Sequence, residues 1–172
     1  MNLSCIKVLI ACTFVGLANA NASMGRELQV ADFSAKLLEA VNKKRSERGL
    51  AAVCINKKLS KAAQVLADDM AQNNFIGTTG SDGSTLSDRV EAQNMSVSAS
   101  AEVVATGYNS VEKVVASWAK SSDSYIYSDL PFLGPGYKYD VTKQYKHYWV
   151  LDLADGEGES SLGGNMNSSP LF

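Results

Sequence analysis

"SASAEVVATGYNSVEKVVASW", Ser98 to Trp118, contains two kinds of structure side by side. Its first half sets Val103 and Val104 among small residues and reads as an interior strand reaching Tyr108. The second half changes period. Val111, Val114, Val115 and Trp118 recur at helical spacing, so a helix starts a few residues after the strand stops. Asn109 stands where an N-cap belongs, and Glu112 three residues later fits the second half of a capping box.

The flanking sequence decides what kind of domain this strand and helix belong to. Upstream, a helix is expected from Asp32, with Phe33, Leu37, Leu38 and Val41 as its apolar stripe and Lys43, Lys44, Arg45, Glu47 and Arg48 as its wet end; Gly49 closes it. A second helix is expected from Lys57 to Asn73, with Leu59, Ala62, Ala63, Leu66, Ala67 and Met70 facing inward. "GTTGSDGST", Gly77 to Thr85, is a turn-rich loop, after which Ser84 or Thr85 caps a short helix to about Gln93. Downstream of polar "SSDS" and aromatic "YIYSDLPF", strands are expected at Gly136 to Asp140 and Gln144 to Leu153, joined by a turn at Val141 to Lys143. Helices and antiparallel strands thus mix without regular βα units, which is the pattern of an α+β layered domain. No internal repeat is present.

The ends bound the class of protein. "MNLSCIKVLIACTFVGLANA" has one lysine, an apolar run from Val8 to Leu17 and a small-residue ending, so residues 1–20 read as a secretory signal peptide. The apolar run is too short to span a bilayer, and no stable membrane anchor is expected. Residues 21–32 are a lead-in, 33–154 the folded domain, and 155–172 a Gly-, Ser- and Asn-rich tail read as disordered. Losing Lys7 takes Lys plus Arg from 16 to 15 against 18 acids, a net charge of −3. That balance offers no basic face for nucleic acid.

Cys5 and Cys12 leave with the signal, so Cys54 remains without an internal partner. The apolar "AVCIN" context predicts a buried thiol; pairing between chains is the alternative, and a monomer is expected. Asn21, Asn94 and Asn167 open Asn-x-Ser sequons and are candidate glycosylation sites.

Chemical motifs are sparse. The 77–85 loop lacks the glycine spacing and the Gly-Lys-Ser/Thr ending of a phosphate loop, and there is no Gly-x-Ser-x-Gly elbow. One histidine and one mature cysteine, far apart in sequence, argue against a strong structural zinc site, which needs four good ligands. In the last strand, alternation puts Tyr145, His147, Trp149 and Leu151 on one face and Lys146, Tyr148, Val150 and Asp152 on the other. By that pattern His147 reads as a hydrogen-bonded side chain on an apolar surface. Glu102, among small and β-branched residues, is the one candidate for a placed acid.

"LLEAVNKKRSERGL", "NKKLSKAAQVLADDMAQNNF", "GSDGST", "AEVVATGYNSVEKVVASW" and "KHYW", in this order, resemble the CAP superfamily of cysteine-rich secretory, antigen 5 and pathogenesis-related proteins, also called SCP domains, in its short microbial secreted form. The resemblance covers about Phe33 to Ala154 and implies a three-layer α-β-α sandwich around a small antiparallel sheet. It further implies a cleft of two histidines and two acids that sometimes holds a divalent metal.

Carried over residue by residue, Glu102 matches the acid of the family's Gly-Glu-Asn segment, and His147 matches one histidine. Thr78 and Ser124 stand where other histidines belong, and Ser121 stands at the second acid. The implied cleft is therefore degenerate, with Glu102 and His147 facing each other as its remnant. Two ligands are too few for firm metal binding, and no cofactor is expected. Pro135 replaces the cysteine that would pair with Cys54. The resemblance implies a secreted, extracellular, non-enzymatic protein that binds a lipid or sterol, or a host or competitor protein. The alternatives are a hydrolase using Glu102 and His147, and a cell-wall or adhesion component.

Overall fold

The computed structural model describes residues 33–121 and 123–156. The signal peptide, the lead-in, the tail from residue 157 on, Asn21 and Asn167 lie outside these; Asp155, assigned to the tail, instead accepts from the amides of Ser98 and Ala99. Helix α1 (residues 33–46) is followed by strand β1 (Cys54–Ile55) and helix α2 (Lys57–Asn73). Then come α3 (Leu86–Glu91), β2 (Ser100–Thr106), α4 (Val111–Trp118), a 3-10 turn (Tyr125–Tyr127), β3 (Phe132–Tyr139) and β4 (His147–Ala154).

The four strands form one sheet in the order β1-β3-β4-β2. β4 runs antiparallel to both β2 and β3, while β1 is a two-residue parallel addition beside Phe132 and Leu133. The expected antiparallel sheet is thus mixed at one edge. β2 is not interior: it pairs with β4 alone and forms the opposite edge. Its apolar character comes from the helices that cover it, and the Trp118 indole of α4 donates to its Val104 carbonyl at 3.3 Å.

α1 and α4 cover one face. Leu37 and Val41 join Val111, Val114, Val115, Trp118 and Ile126 against Trp149, Leu151 and Leu153. Arg45 continues the stripe of Leu37 and Val41 instead of belonging to the wet end. It is 3% exposed and donates to the carbonyls of Ala51, Ile126 and Ser128 at 2.7–2.8 Å, strapping the 3-10 turn to α1.

α2 and α3 cover the other face. All the residues expected to face inward from α2 are buried there, and Asn56, itself fully buried, caps the helix by accepting from the amides of Lys58 and Leu59. This helix lies very close to the sheet. A Cβ on Gly134 would stand 2.2 Å from the Leu59 carbonyl carbon, and one on Gly136 would stand 2.4 Å from that of Ala63. The glycines of "PFLGPGY" therefore belong inside a strand, because the alanine-rich helix packs on backbone. Pro135 sits beyond the reach of short β1, which pairs only with Phe132 and Leu133, so its missing N–H breaks no ladder bond with that strand. α4 begins one residue later than the capping signature indicated: Ser110 caps it by accepting from Lys113, which leaves Asn109 outside. The α-β-α sandwich is as expected.

Candidate functional site

The antiparallel register brings two carboxylates face to face. Glu102 in β2 is the direct partner of Asp152 in β4, so both side chains leave the face covered by α2 and α3, and both are buried. α3 sends the buried Arg89 into this pair. Its Nη2 donates to Glu102 Oε1 at 3.0 Å and Oε2 at 2.8 Å. The same guanidinium donates to the Thr78 carbonyl at 3.1 Å and the Ser84 carbonyl at 2.9 Å. One cation therefore holds both the acid and the 77–85 loop.

Asp152 is fully buried, and neither of its oxygens has an ordinary hydrogen-bond partner. Burial holds its carboxyl well above the usual carboxylate range, hydrogen bonding to Glu102 and the charge of Glu102 add to this, and Arg89 opposes it. A neutral Asp152 carries a proton it can donate to Glu102, which supplies the missing bond.

The loop is fastened at its other side by α2. Asp69 accepts from the Ser81 amide at 2.7 Å and the Ser81 hydroxyl at 2.6 Å. Burial pushes Asp69 up, but these bonds and one from Asn73 outweigh it and leave the carboxyl below its usual range. Gly83 closes the turn with φ +86°, which only glycine adopts without strain. Between α2 and the loop is a cavity of about 180 Å³, lined by Val65 and Leu66 on one side and Asp69, Ser81, Asp82 and Arg89 on the other. Thr78 is exposed and meets the cluster through its backbone alone.

His147 lies on the opposite face of the sheet. Five residues separate it from Asp152 along β4, roughly 17 Å at about 3.4 Å per residue, and odd and even positions point to opposite faces. The expected pairing of Glu102 with His147 is therefore wrong: the sheet stands between them. His147 belongs to an aromatic group on the outer end of the first face. Its Nδ1 is 2.8 Å from the Tyr137 hydroxyl, and the Tyr139 ring centroid is 4.8 Å away. Burial and the charge of Tyr139 keep the Tyr137 phenol protonated to higher pH than usual, and its hydroxyl shares one hydrogen bond with Nδ1, whose direction follows the imidazole tautomer. Burial and nearby Lys146 keep His147 below the ordinary histidine range. Tyr145 does not share this face, because Lys146 has φ +62° and the strand starts only at His147; Tyr145 packs edge-on against Tyr148 instead.

The other expected positions scatter. Ser121 and Ser124 lie in the turn after α4, next to the 3-10 turn whose Ile126 is buried in the core of the first face. Asn94 is exposed with φ +55°, just after α3. Cys54 is exposed, contrary to its expected burial: in β1 the neighbours Val53 and Ile55 point inward and alternation turns the thiol out. These residues do not fit a metal ion. Both Glu102 oxygens face Arg89, His147 is across the sheet, and no group of three His, Cys, Asp or Glu side chains converges among the described residues.

Arg89 and Asp152 were not singled out from the sequence. A lone acid at an inward position of an apolar strand, "YWVLDLA", was the signal for the second; nothing local marks the first.

The sequence model of the cysteine-rich secretory protein family matches residues 38–153. YkwD, an uncharacterized protein of Bacillus subtilis, is 26% identical over 101 residues, which cover 59% of this chain and 39% of that relative's length. An extracellular protein containing an SCP domain from Bacillus anthracis is similar in structure, with a TM-score of 0.62 at 17% identity over 70% of this chain and 39% of its own. An outer surface protein from Borrelia burgdorferi matches with a TM-score of 0.63 at 19% identity, over 73% of this chain and 94% of its own. Among the described residues no helix is long and apolar enough to cross a membrane.

Proposed function

The chain belongs to the cysteine-rich secretory protein family, and from that premise we propose that it works outside the cell by binding a protein partner, without catalysis. The observation that carries this reading is the separation of Glu102 from His147 by the sheet, together with the two bonds from Arg89 to Glu102. A general base needs its acid and imidazole within hydrogen-bond reach, and a nucleophile needs a free carboxylate or thiol beside them. Glu102 is already engaged, and Cys54 lies on β1 at the far edge of the sheet from β2.

At the cavity beside Arg89, size favours a protein over a sterol as the ligand. The cavity beside Arg89 is about 180 Å³, below the ~300–1,000 Å³ of pockets that enclose drug-sized ligands. The end of the β3–β4 hairpin presents two exposed apolar side chains, Val141 at 61% and Tyr139 at 50%, the latter with its ring against His147. Aromatic side chains at such a site are the usual anchors of protein interfaces.

Mass spectrometry of the protein purified gently from its native secretion tests this. A stoichiometric protein partner lost on Tyr139→Ser is expected. A saturably bound sterol or lipid, or turnover of peptide or ester substrates that disappears in Glu102→Gln, would overturn the reading.

A further inference from the structure

We propose that the Glu102–Asp152 pair is a proton-operated latch on the 77–85 loop. With one proton on the pair, Arg89 holds the carbonyls of Thr78 and Ser84; without it, the guanidinium is drawn to the carboxylates and the loop is released.

The geometry supplies each part. Glu102 and Asp152 are directly paired across β2 and β4 in a buried site with one cation. With the proton present, Glu102 and Arg89 cancel and Asp152 is neutral. Without it, two buried carboxylates face one guanidinium, an arrangement that low dielectric penalises unless the cation moves to serve both. Arg89 is already overcommitted: the two hydrogens of Nη2 serve both Glu102 oxygens and the Thr78 carbonyl, which is the longest of the three bonds. Its Nε is buried without a partner, a donor in reserve. Moving toward Asp152 gives up the loop carbonyls first.

Among the described residues no other charge acts on Asp152. Glu102 on β2 and Arg89 on α3 are the charged groups that act on Asp152. β3 opposes Asp152 with Gly134, and α2 meets that glycine with Leu59. Three other acids bear on the loop: Asp82 within it, Asp69 on α2 and Asp88 on α3. Hydrogen bonds from Ser84 hold Asp82, and bonds from Thr85 hold Asp88, below the usual carboxylate range, and Asp69 is also lowered. The signs are opposite. For those three, stability is lost as pH falls through their lowered values. Asp152, raised, contributes stability that is full below the unfolded aspartate value of about 3.9 and is lost as pH rises through its folded value. Loosening of the loop toward high pH is therefore the signature of the pair.

An NMR pH titration of the intact protein, following the Asp152 carboxyl carbon and the amides of Thr78, Gly80 and Ser84, tests this. The four signals should share a step with a midpoint above the ordinary aspartate range. Asp152→Asn should lose that step and keep the one at low pH, and Glu102→Gln should move it downward. An Asp152 carboxyl titrating at or below the ordinary range would contradict the latch, even if neither variant folds. So would loop amides that keep the upper step in Asp152→Asn.

Discussion

β4 carries an acid at one end and an imidazole at the other, and the two are solved differently. Asp152 is enclosed between Glu102, Arg89 and the packed face of α2, where every charge must be matched or neutralised. His147 is half-buried at the rim of the opposite face, between two tyrosines, with one nitrogen fixed and its ring kept neutral by burial. The first region is an internal structural device linked to a loop, and the second is a surface. Residues that a family resemblance places in one cleft are here divided by the thickness of a sheet, because odd and even positions of a strand never share a side.

The contrast can be broken most forcefully at Arg89. Arg89→Met leaves Glu102 buried beside Asp152 without a cation, and the loss should be about 3–5 kcal/mol by chemical denaturation. A loss under about 1 kcal/mol would mean the cluster is solvated and the contrast false. Next is the close approach that encloses Asp152. Gly134→Ala forces a Cβ into the backbone of α2 at Leu59 and should cost about 1–3 kcal/mol or more. A neutral result would show that helix and sheet are less tightly packed than described.

Smaller effects are expected on the histidine side. Tyr137→Phe removes one partly buried hydrogen bond and should cost about 0.5–1.5 kcal/mol, and it should change the His147 ring signals without disturbing the 77–85 amides. Disturbance of that loop would join the two regions. Cys54→Ser, at an outward edge position, should stay within about 0.5 kcal/mol, and the native thiol should react rapidly with a bulky maleimide. Slow labelling would place Cys54 inside after all.

Period and capping made much of the fold legible. α2 is readable because six apolar residues fall on one stripe; the structure adds Ala71 to it and shows Asn56 and Asn74 as the caps that stop the helix. β4 is readable because its alternation is dense, and that alternation puts Asp152 on the face opposite His147. Other elements depended on distant partners. β1 has two residues and exists only beside Phe132 and Leu133, so no periodicity could announce it or show that Cys54 points out. The first half of β3 was hidden by Gly134, Pro135 and Gly136, which look like a loop until the nearness of α2 is known. Arg45 reads as part of a wet helix end and Arg89 carries no local signal, and only the carbonyls and carboxylate folded around them make them interior groups. Glu102 was found and its partner misidentified, because register, which sequence does not reveal, decides what a strand residue faces.

The chain has one histidine, so its ring can be followed without ambiguity. The most direct test of the division is the pH titration of His147 by NMR in the native protein and in Glu102→Gln. With the sheet between them, the midpoint should lie below the ordinary histidine value in both proteins and be the same. A fall in the midpoint when the Glu102 charge is removed would mean that the two share a cleft, contradicting the account.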